Sequence, residues 1–438
     1  MRRFLFIVSF FIICHSIRAQ DGHAIIAGLQ SINAAVTKKT CSAGDAAAIS
    51  NRAMNVFLAD KTSYLSAPRD LSFFTNYATY NTGDGKFTVN HNFQPLHGAD
   101  DPIKTLFSFG FDMTIAGSYA KAFLDKRFEN EAGITLNYKW LGKVKTRFED
   151  CSSASTGQKQ AMDAARAALL AQLQLQILKK EADFKLALDA LDTAFIPGQS
   201  ATAAKTVMLQ NFYADLMLEY EEKFAMEQAS LLSKSGNFKL ISTSWTSLTA
   251  YIPLYFPKYM VAPSFNIAFT GKRPYPAVIT LGHTRMWEMK KAGRLFFTLD
   301  ASVLFNNSKL SRGLNKINYS EYKSLGGTDT SYNTDPGNNK LYVGRYASFI
   351  TPSLVARLVY FPPTSHVGIS FLAEKNWGDY SPLNCRISVP VILINSKKTP
   401  AVNLECFVSF FDIANSMHTS GKTSAGLAIG VPFSRLMF

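Results

Sequence analysis

Seven histidines, four cysteines beyond residue 20 and a few paired acids are the side chains with which this chain could do chemistry. Nucleophilic catalysis needs a nucleophile and a base held together. Nothing here does that, since Gly-x-Ser-x-Gly, His-Glu-x-x-His and Cys-x-x-Cys are all absent. His15, His23, His91, His97, His283, His366 and His418 are scattered without an accompanying motif. His283 and Arg285 share one face of AVITLGHTRMW with Ile279, Leu281 and Trp287, and they read as a structural or lumen-facing polar pair. Asp100 and Asp101 beside Pro102 read as solvated loop acids. Asn333, Asp335, Gly337, Asn338 and Asn339 are of the types that bind calcium but lack the spacing of a calcium loop. The expectation is no enzyme, no catalytic residue, no cofactor and no metal.

Cys41, Cys151, Cys385 and Cys406 are of the kind that an oxidising compartment permits to pair. A turn near Lys397 and Lys398 would put Cys385 opposite about Phe411, several residues from Cys406. At about 3.3 Å per residue that offset exceeds the reach of a disulfide. Both thiols share the phase of apolar neighbours and are expected to be free, buried or lipid-facing. A bridge between Cys41 and Cys151 stays open.

The elements that position these residues begin with a leader. Arg2 and Arg3 precede an apolar run from Phe4 to Ile13, then small or polar residues to Ala19, the pattern of a secretory signal peptide over 1–19. The run is shorter than the roughly 20 residues a spanning helix needs. Ile13 before Cys14 argues against lipidation there. Without Arg2, Arg3 and Arg18 the formal charge of +14 becomes +11. No Lys/Arg stripe with interleaved aromatics accompanies that excess, so nucleic acid is not an expected partner. The 34 Phe and 18 Tyr in a chain only 18% charged need large surfaces to cover.

From about Leu71 the pattern has period two, the mark of a strand with unlike faces. In RLFFTLDASVLF, Leu295, Phe297, Leu299, Ala301, Val303 and Phe305 share one face, and Arg294, Thr298, Asp300 and Ser302 the other. TLFSFGFDMTI sets Phe107, Phe109, Phe111, Met113 and Ile115 against Ser108, Gly110, Asp112 and Thr114. Counting from Lys86, and including Tyr259 to Phe269, gives about 12 strands. Leu71 to Tyr80 is a further strand, which would make the number odd unless a partner exists upstream, with 14 as the alternative total. The fold expected is an all-β, antiparallel transmembrane barrel over 71–154 and 236–438. Residues 20–70, with short helices through Ala24 to Ile32 and Ala46 to Leu58, read as a periplasmic or lumen-plugging segment.

One stretch, 155–235, has helical periodicity instead. Leu169, Leu173, Ile177, Phe184, Leu188 and Leu191 repeat at three- and four-residue steps, as do Leu209, Leu216, Tyr220, Phe224 and Leu231. Ile196, Pro197 and Gly198 divide the two arms, which predicts an antiparallel helical hairpin inserted in the barrel. With the C-terminus in the periplasm, a backward strand count puts PPTS, NSKKTPA and Lys290 to Gly293 inside and the long polar segment 306–340 outside. The same count puts the hairpin outside.

SAGLAIGVPFSRLMF, ending on Phe438, resembles the closing strand of Gram-negative outer membrane β-barrel proteins. The resemblance implies an outer membrane location and Phe438 as a residue recognised during membrane assembly. It also implies membrane lipid and lipopolysaccharide as surroundings and the barrel assembly machinery as a partner. Leu427, Ile429, Val431 and Phe433 are in one phase, however, and Leu436 and Phe438 in the other. Pro432 removes a ladder donor and marks a bulge that would shift the phase. Two functions fit: a porin-like channel or transporter for small solutes, biased toward anions if Arg or Lys face the lumen, or a structural or adhesive protein whose hairpin and external loops bind a protein partner. A plug formed by Asp21 to Pro68 would favour the second.

Overall fold

The computed structural model describes residues 21–38, 48–62, 75–82, 85–93, 102–114, 123–124, 127–128, 132–148, 157–190, 201–236, 238–256, 258–264, 267–311, 313–317, 321–324, 331–334, 341–395, 400–415 and 422–435. The leader, Cys41, Cys151, Asp100, Asp101 and Phe438 lie outside them.

Twelve long strands form the wall: β1 Thr75–Asn81, β2 Lys86–Phe93, β3 Thr105–Thr114, β4 Ala132–Leu141, β5 Leu240–Tyr255, β6 Val278–Met289, β7 Gly293–Asn307, β8 Ser348–Phe361, β9 Ile369–Asn376, β10 Leu383–Ile394, β11 Pro400–Phe411 and β12 Lys422–Arg435. Each pairs antiparallel with its sequence neighbours, and β1 pairs with β12, so the sheet closes on itself without an edge. Closure is what lets strands cross a lipid layer, because every ladder donor and acceptor finds a protein partner. Among the described residues no helix is long and apolar enough to cross a membrane.

The expected count of twelve stands, but its membership changes in two places. Thr75–Asn81 is a wall strand whose missing partner is the C-terminal strand, 345 residues downstream at the Thr82–Leu427 contact, rather than anything upstream. Tyr259–Ala262 is not in the wall. Pro263 follows that four-residue strand, and about 13 Å of strand is too short for an apolar band about 25 Å tall. It pairs instead with Thr270–Lys272 and, in parallel, with Leu341–Val343, in a small sheet that also includes Asn315–Ile317. Phe256, Tyr259, Val261, Leu314 and Tyr342 form its core.

Removing one strand between the hairpin and the C-terminus reverses the hairpin's side. It joins β4 to β5 and so leaves the barrel from the end at which β6 meets β7, β8 meets β9 and β10 meets β11. The small sheet, with Asn315–Ile317 and Leu341–Val343 between β7 and β8, is at the opposite end.

The bulge expected at Pro432 is present. Tyr77 pairs with Pro432 and Asn76 with Ser434, leaving Phe433 as the extra residue of the seam. The two thiols behave as expected: Cys385 pairs with Phe410 and Cys406 with Val389, and both are free.

The hairpin arms are α3 Gly157–Asp189 and α4 Ala201–Ser235. Their seam holds Leu170, Leu173, Ile177, Leu216, Tyr220 and Phe224, with Phe184 stacked on Phe212 at 3.9 Å between centroids. The N-terminal helices α1 Gly22–Lys38 and α2 Asn51–Thr62 pack along it. Ile25, Ile26 and Leu29 of α1 join the distal part of the seam, while Ala53, Phe57 and Leu58 of α2 join Ala225, Ala229 and Leu232 nearer the barrel. Fully buried Arg166 ties the layers together, donating to Asn33 Oδ1, Ala48 O, Thr37 Oγ1 and Asp163. Burial pulls the Arg166 guanidinium down from its ordinary range, and the Asp163 carboxylate opposes that.

Candidate functional site

Burial alternates most clearly along β6, β7 and β8, and that alternation, carried to the other strands by the pairing register, assigns side chains to the lumen or to the outside. On β7 the two faces are those expected, with Phe297, Leu299, Val303 and Phe305 exposed and Thr298 and Ser302 buried. Phe107, Phe109, Tyr138, Trp140, Leu281, Leu354, Leu358, Tyr360, Ile387 and Val408 continue the exposed apolar face around the wall.

Toward the short turns a band of inward residues is apolar. Leu106, Trp245, Met286, Phe296, Phe361 and Ile392, from six different strands, form one buried cluster with Ala53, Met54, Phe57 and Leu58 of α2. Phe57 is 1% exposed and meets Phe238 edge-on at 6.4 Å. Helix α2 thus sits in that mouth of the barrel.

Its C-terminal end is fixed by charge. Arg294 Nη1 donates to Lys61 O at 2.8 Å, and its Nε to Glu288 Oε2 at 2.6 Å. Lys61 Nζ lies 3.5 Å from Glu288 Oε1 and 5.3 Å from the Phe57 ring. A helix C-terminus leaves carbonyls without intrahelical partners and attracts cations, so the Arg294 contact satisfies both needs. Burial lowers the Lys61 ammonium from its ordinary range, and the Arg294 charge acts in the same direction against Glu288.

Beyond this cap the lumen is polar and hydrogen-bonded. Asp112 accepts from Thr88 Oγ1 at 2.6 Å and from Thr135, and faces Lys86 Nζ at 3.3 Å. Ser108 donates to Asn92 Oδ1 at 2.5 Å, and Thr284 shares a 3.0 Å bond with Thr298. Across the lumen Arg386 Nε donates to Ser409 Oγ at 2.8 Å and Ser388 Oγ to Glu405 at 2.5 Å. Asn137 Oδ1 is buried with no partner among the described residues. Gly282 faces Asp300, whose carboxylate oxygen would stand 2.4 Å from any added Cβ, so only glycine leaves that carboxylate its place. Inward bases Lys86, Lys139, Arg357 and Arg386 alternate with inward acids Asp112, Asp300, Glu374 and Glu405. The lumen is therefore mixed in sign, not basic.

His283 and Arg285 were expected to be structural or lumen-facing. They are on the outward face, both exposed, with His283 Nδ1 3.0 Å from Thr246 Oγ1 and Arg285 5.1 Å from the Trp287 ring. Period two could not tell the faces apart there, because apolar and polar residues share the phase. His91 is also outward, against Phe93 at 4.5 Å, and His23 is exposed on α1. Asp335, Gly337, Asn338 and Asn339 lie outside the described residues, as do His15, His97 and His418. Among the described residues no group of three or more His, Cys, Asp or Glu gathers as a metal site would.

The cap on the lumen left a trace in the sequence that periodicity alone passes over. Phe296 interrupts the water-facing phase of Arg294, Thr298, Asp300 and Ser302, and Phe361 and Val359 do the same on β8. Apolar residues gathered in that phase near the short-turn end require an apolar cover.

No family model matches the sequence, and no curated protein is similar to it. Solved structures aligned with it are outer membrane barrels. They include a NanC porin, 7% identical, covering 82% of this chain and 98% of the porin with a TM-score of 0.28. The β-domain of the Bordetella autotransporter BrkA is 7% identical over 82% of this chain and 96% of that one, with a TM-score of 0.23. A loop-deleted OmpT, an outer membrane protein of Vibrio cholerae, is 5% identical over 82% and 96%, also with a TM-score of 0.23. The barrel stands on its own closed ladder.

Proposed function

We propose that the protein is an outer membrane transport barrel for small polar solutes, kept closed at rest by helix α2. The observation that carries this is the change of lining along one lumen. A hydrogen-bonded polar channel is met at the short-turn end by a dry apolar cluster with a helix in it. A barrel of about twelve strands has room for side chains and a narrow polar path, so displacement of α2 would connect the two sides. Lumen charges of both signs suit dipolar or zwitterionic solutes better than simple anions. In this reading α1, α2 and the hairpin are periplasmic, which their sharing an end of the barrel with the short turns supports.

Planar-bilayer conductance tests this. The full chain is expected to be silent, and deletion of residues 21–68 to give steady ohmic steps. Open steps from the full chain would remove the closed state. Silence after the deletion would instead support the second reading, an anchor that presents its helices to a protein partner. That reading is favoured by Leu175, Leu178 and Leu186, which lie on one stripe of α3 and are 71%, 37% and 74% exposed.

A further inference from the structure

On the outward wall, among the described residues, Arg285 is the only charged side chain more than two residues from the end of a long strand. A guanidinium there is disfavoured in hydrocarbon, and less so toward the interface. Arg285 leans that way. Its guanidinium lies 5.1 Å from the ring of Trp287, two residues nearer the short-turn end, and Trp belongs at the headgroup level.

The surroundings are arranged for an anion. Paired residues share a face, and Arg285 pairs with Ser244 and His283 with Thr246, whose hydroxyl it meets at 3.0 Å. One row lower, Trp287 pairs with Ser242, and Ser242 with Lys145 of the short strand Lys145–Arg147. Lys145 is exposed and stands two strand spacings, about 10 Å, from the Trp287 position. No described Asp or Glu occupies this face.

We infer that Arg285, Lys145, His283, Thr246 and Trp287 form a binding site for the phosphate of an anionic phospholipid in the leaflet on the hairpin side. Arg285 and Lys145 supply charge, Thr246 and Ser244 supply hydroxyl donors, and Trp287 holds the guanidinium at the interfacial depth. The site rests on the reading of the barrel as membrane-spanning, and its test separates the two.

The full chain is reconstituted into vesicles of equal parts phosphatidylglycerol and phosphatidylcholine. Insertion is scored by heat-modifiable migration, and the lipid retained on the protein after extraction is counted by native mass spectrometry. Failure to insert would overturn the membrane reading itself. For the inserted chain the expected result is enrichment of phosphatidylglycerol by about fivefold for each basic side chain engaged. Arg285→Gln with Lys145→Gln is expected to bring the ratio to about one while migration stays unchanged. Both side chains face outward, so folding does not depend on them, and Lys375→Gln at the loop end is expected to keep the enrichment. An inserted chain with no preference would overturn the site. So would equal loss in the Lys375→Gln variant, replacement of phosphatidylglycerol by lipid A when both are present, or cross-linking of copies through position 285.

Discussion

Along strands β6, β7 and β8 the inward side chains change character within a few residues. At the short-turn end they are Met286, Phe296 and Phe361, packed against Phe57 and its neighbours. Further along the same strands they are Thr284, Thr298 and Arg357, and β6 and β7 are joined there by the Thr284–Thr298 bond. Strand geometry is the same in both zones, and only what faces it differs. A lumen zone that meets a helix is stabilised by excluding water, and one that meets water or other strands by satisfying hydrogen bonds. On the turn side of the apolar band, Glu288 and Arg294 pair within the wall while holding the end of α2.

Phe57→Ala puts the largest strain on that contrast. Loss of a fully buried phenylalanine from the dry zone is expected to cost about 3–5 kcal/mol. Amide exchange across Asn51–Thr62 should accelerate accordingly, with exchange in the polar zone unchanged. Arg294→Met comes next, because it leaves the Glu288 carboxylate without its closest partner and a terminal carbonyl of α2 without a donor. A loss of about 3 kcal/mol in α2 docking is expected, read by protease cleavage of α2. Asp112→Asn acts in the polar zone alone. Weaker bonds to Thr88, Thr135 and Lys86 should lower the stability by about 1 kcal/mol, read as a lower denaturant midpoint, and leave the protection of α2 untouched.

The smallest effect is on pH. Docked Lys61 has a lowered pKa, so the docked state binds fewer protons than the undocked one and docking strengthens as pH rises. The change runs from the lowered value up to the free-lysine value of 10.5. Protection of α2 should rise over that window, and Lys61→Met should flatten the rise.

The wall was legible because each strand writes its own environment. Leu295 to Phe305 alternate with Thr298 to Ser302, so the two faces of β7 could be named without coordinates. The helical seam was legible for the same local reason, Leu173, Ile177, Tyr220 and Phe224 recurring at helical steps. The outward position of His283 and Arg285 was not legible, because the phase they share carries Ile279 and Leu281 as well. Tyr259 to Phe269 entered the strand list though its strand is only four residues long, and Leu71 to Tyr80 stayed outside it for want of a partner upstream, two changes that cancelled in the number and reversed the side of the hairpin.

The sequence by itself determined the period of each element, the closed antiparallel class, the helical insertion and the bulge at Pro432, since all of these follow from contacts within one strand, one helix or one residue's missing donor. Only the tertiary structure decided that Thr75–Asn81 closes on β12, that the hairpin and the short turns share an end, and that α2 sits in the mouth above Phe296 and Phe361. Those outcomes depend on pairings across hundreds of residues, where local preference is silent and the requirement to leave no strand edge or apolar surface uncovered makes the choice.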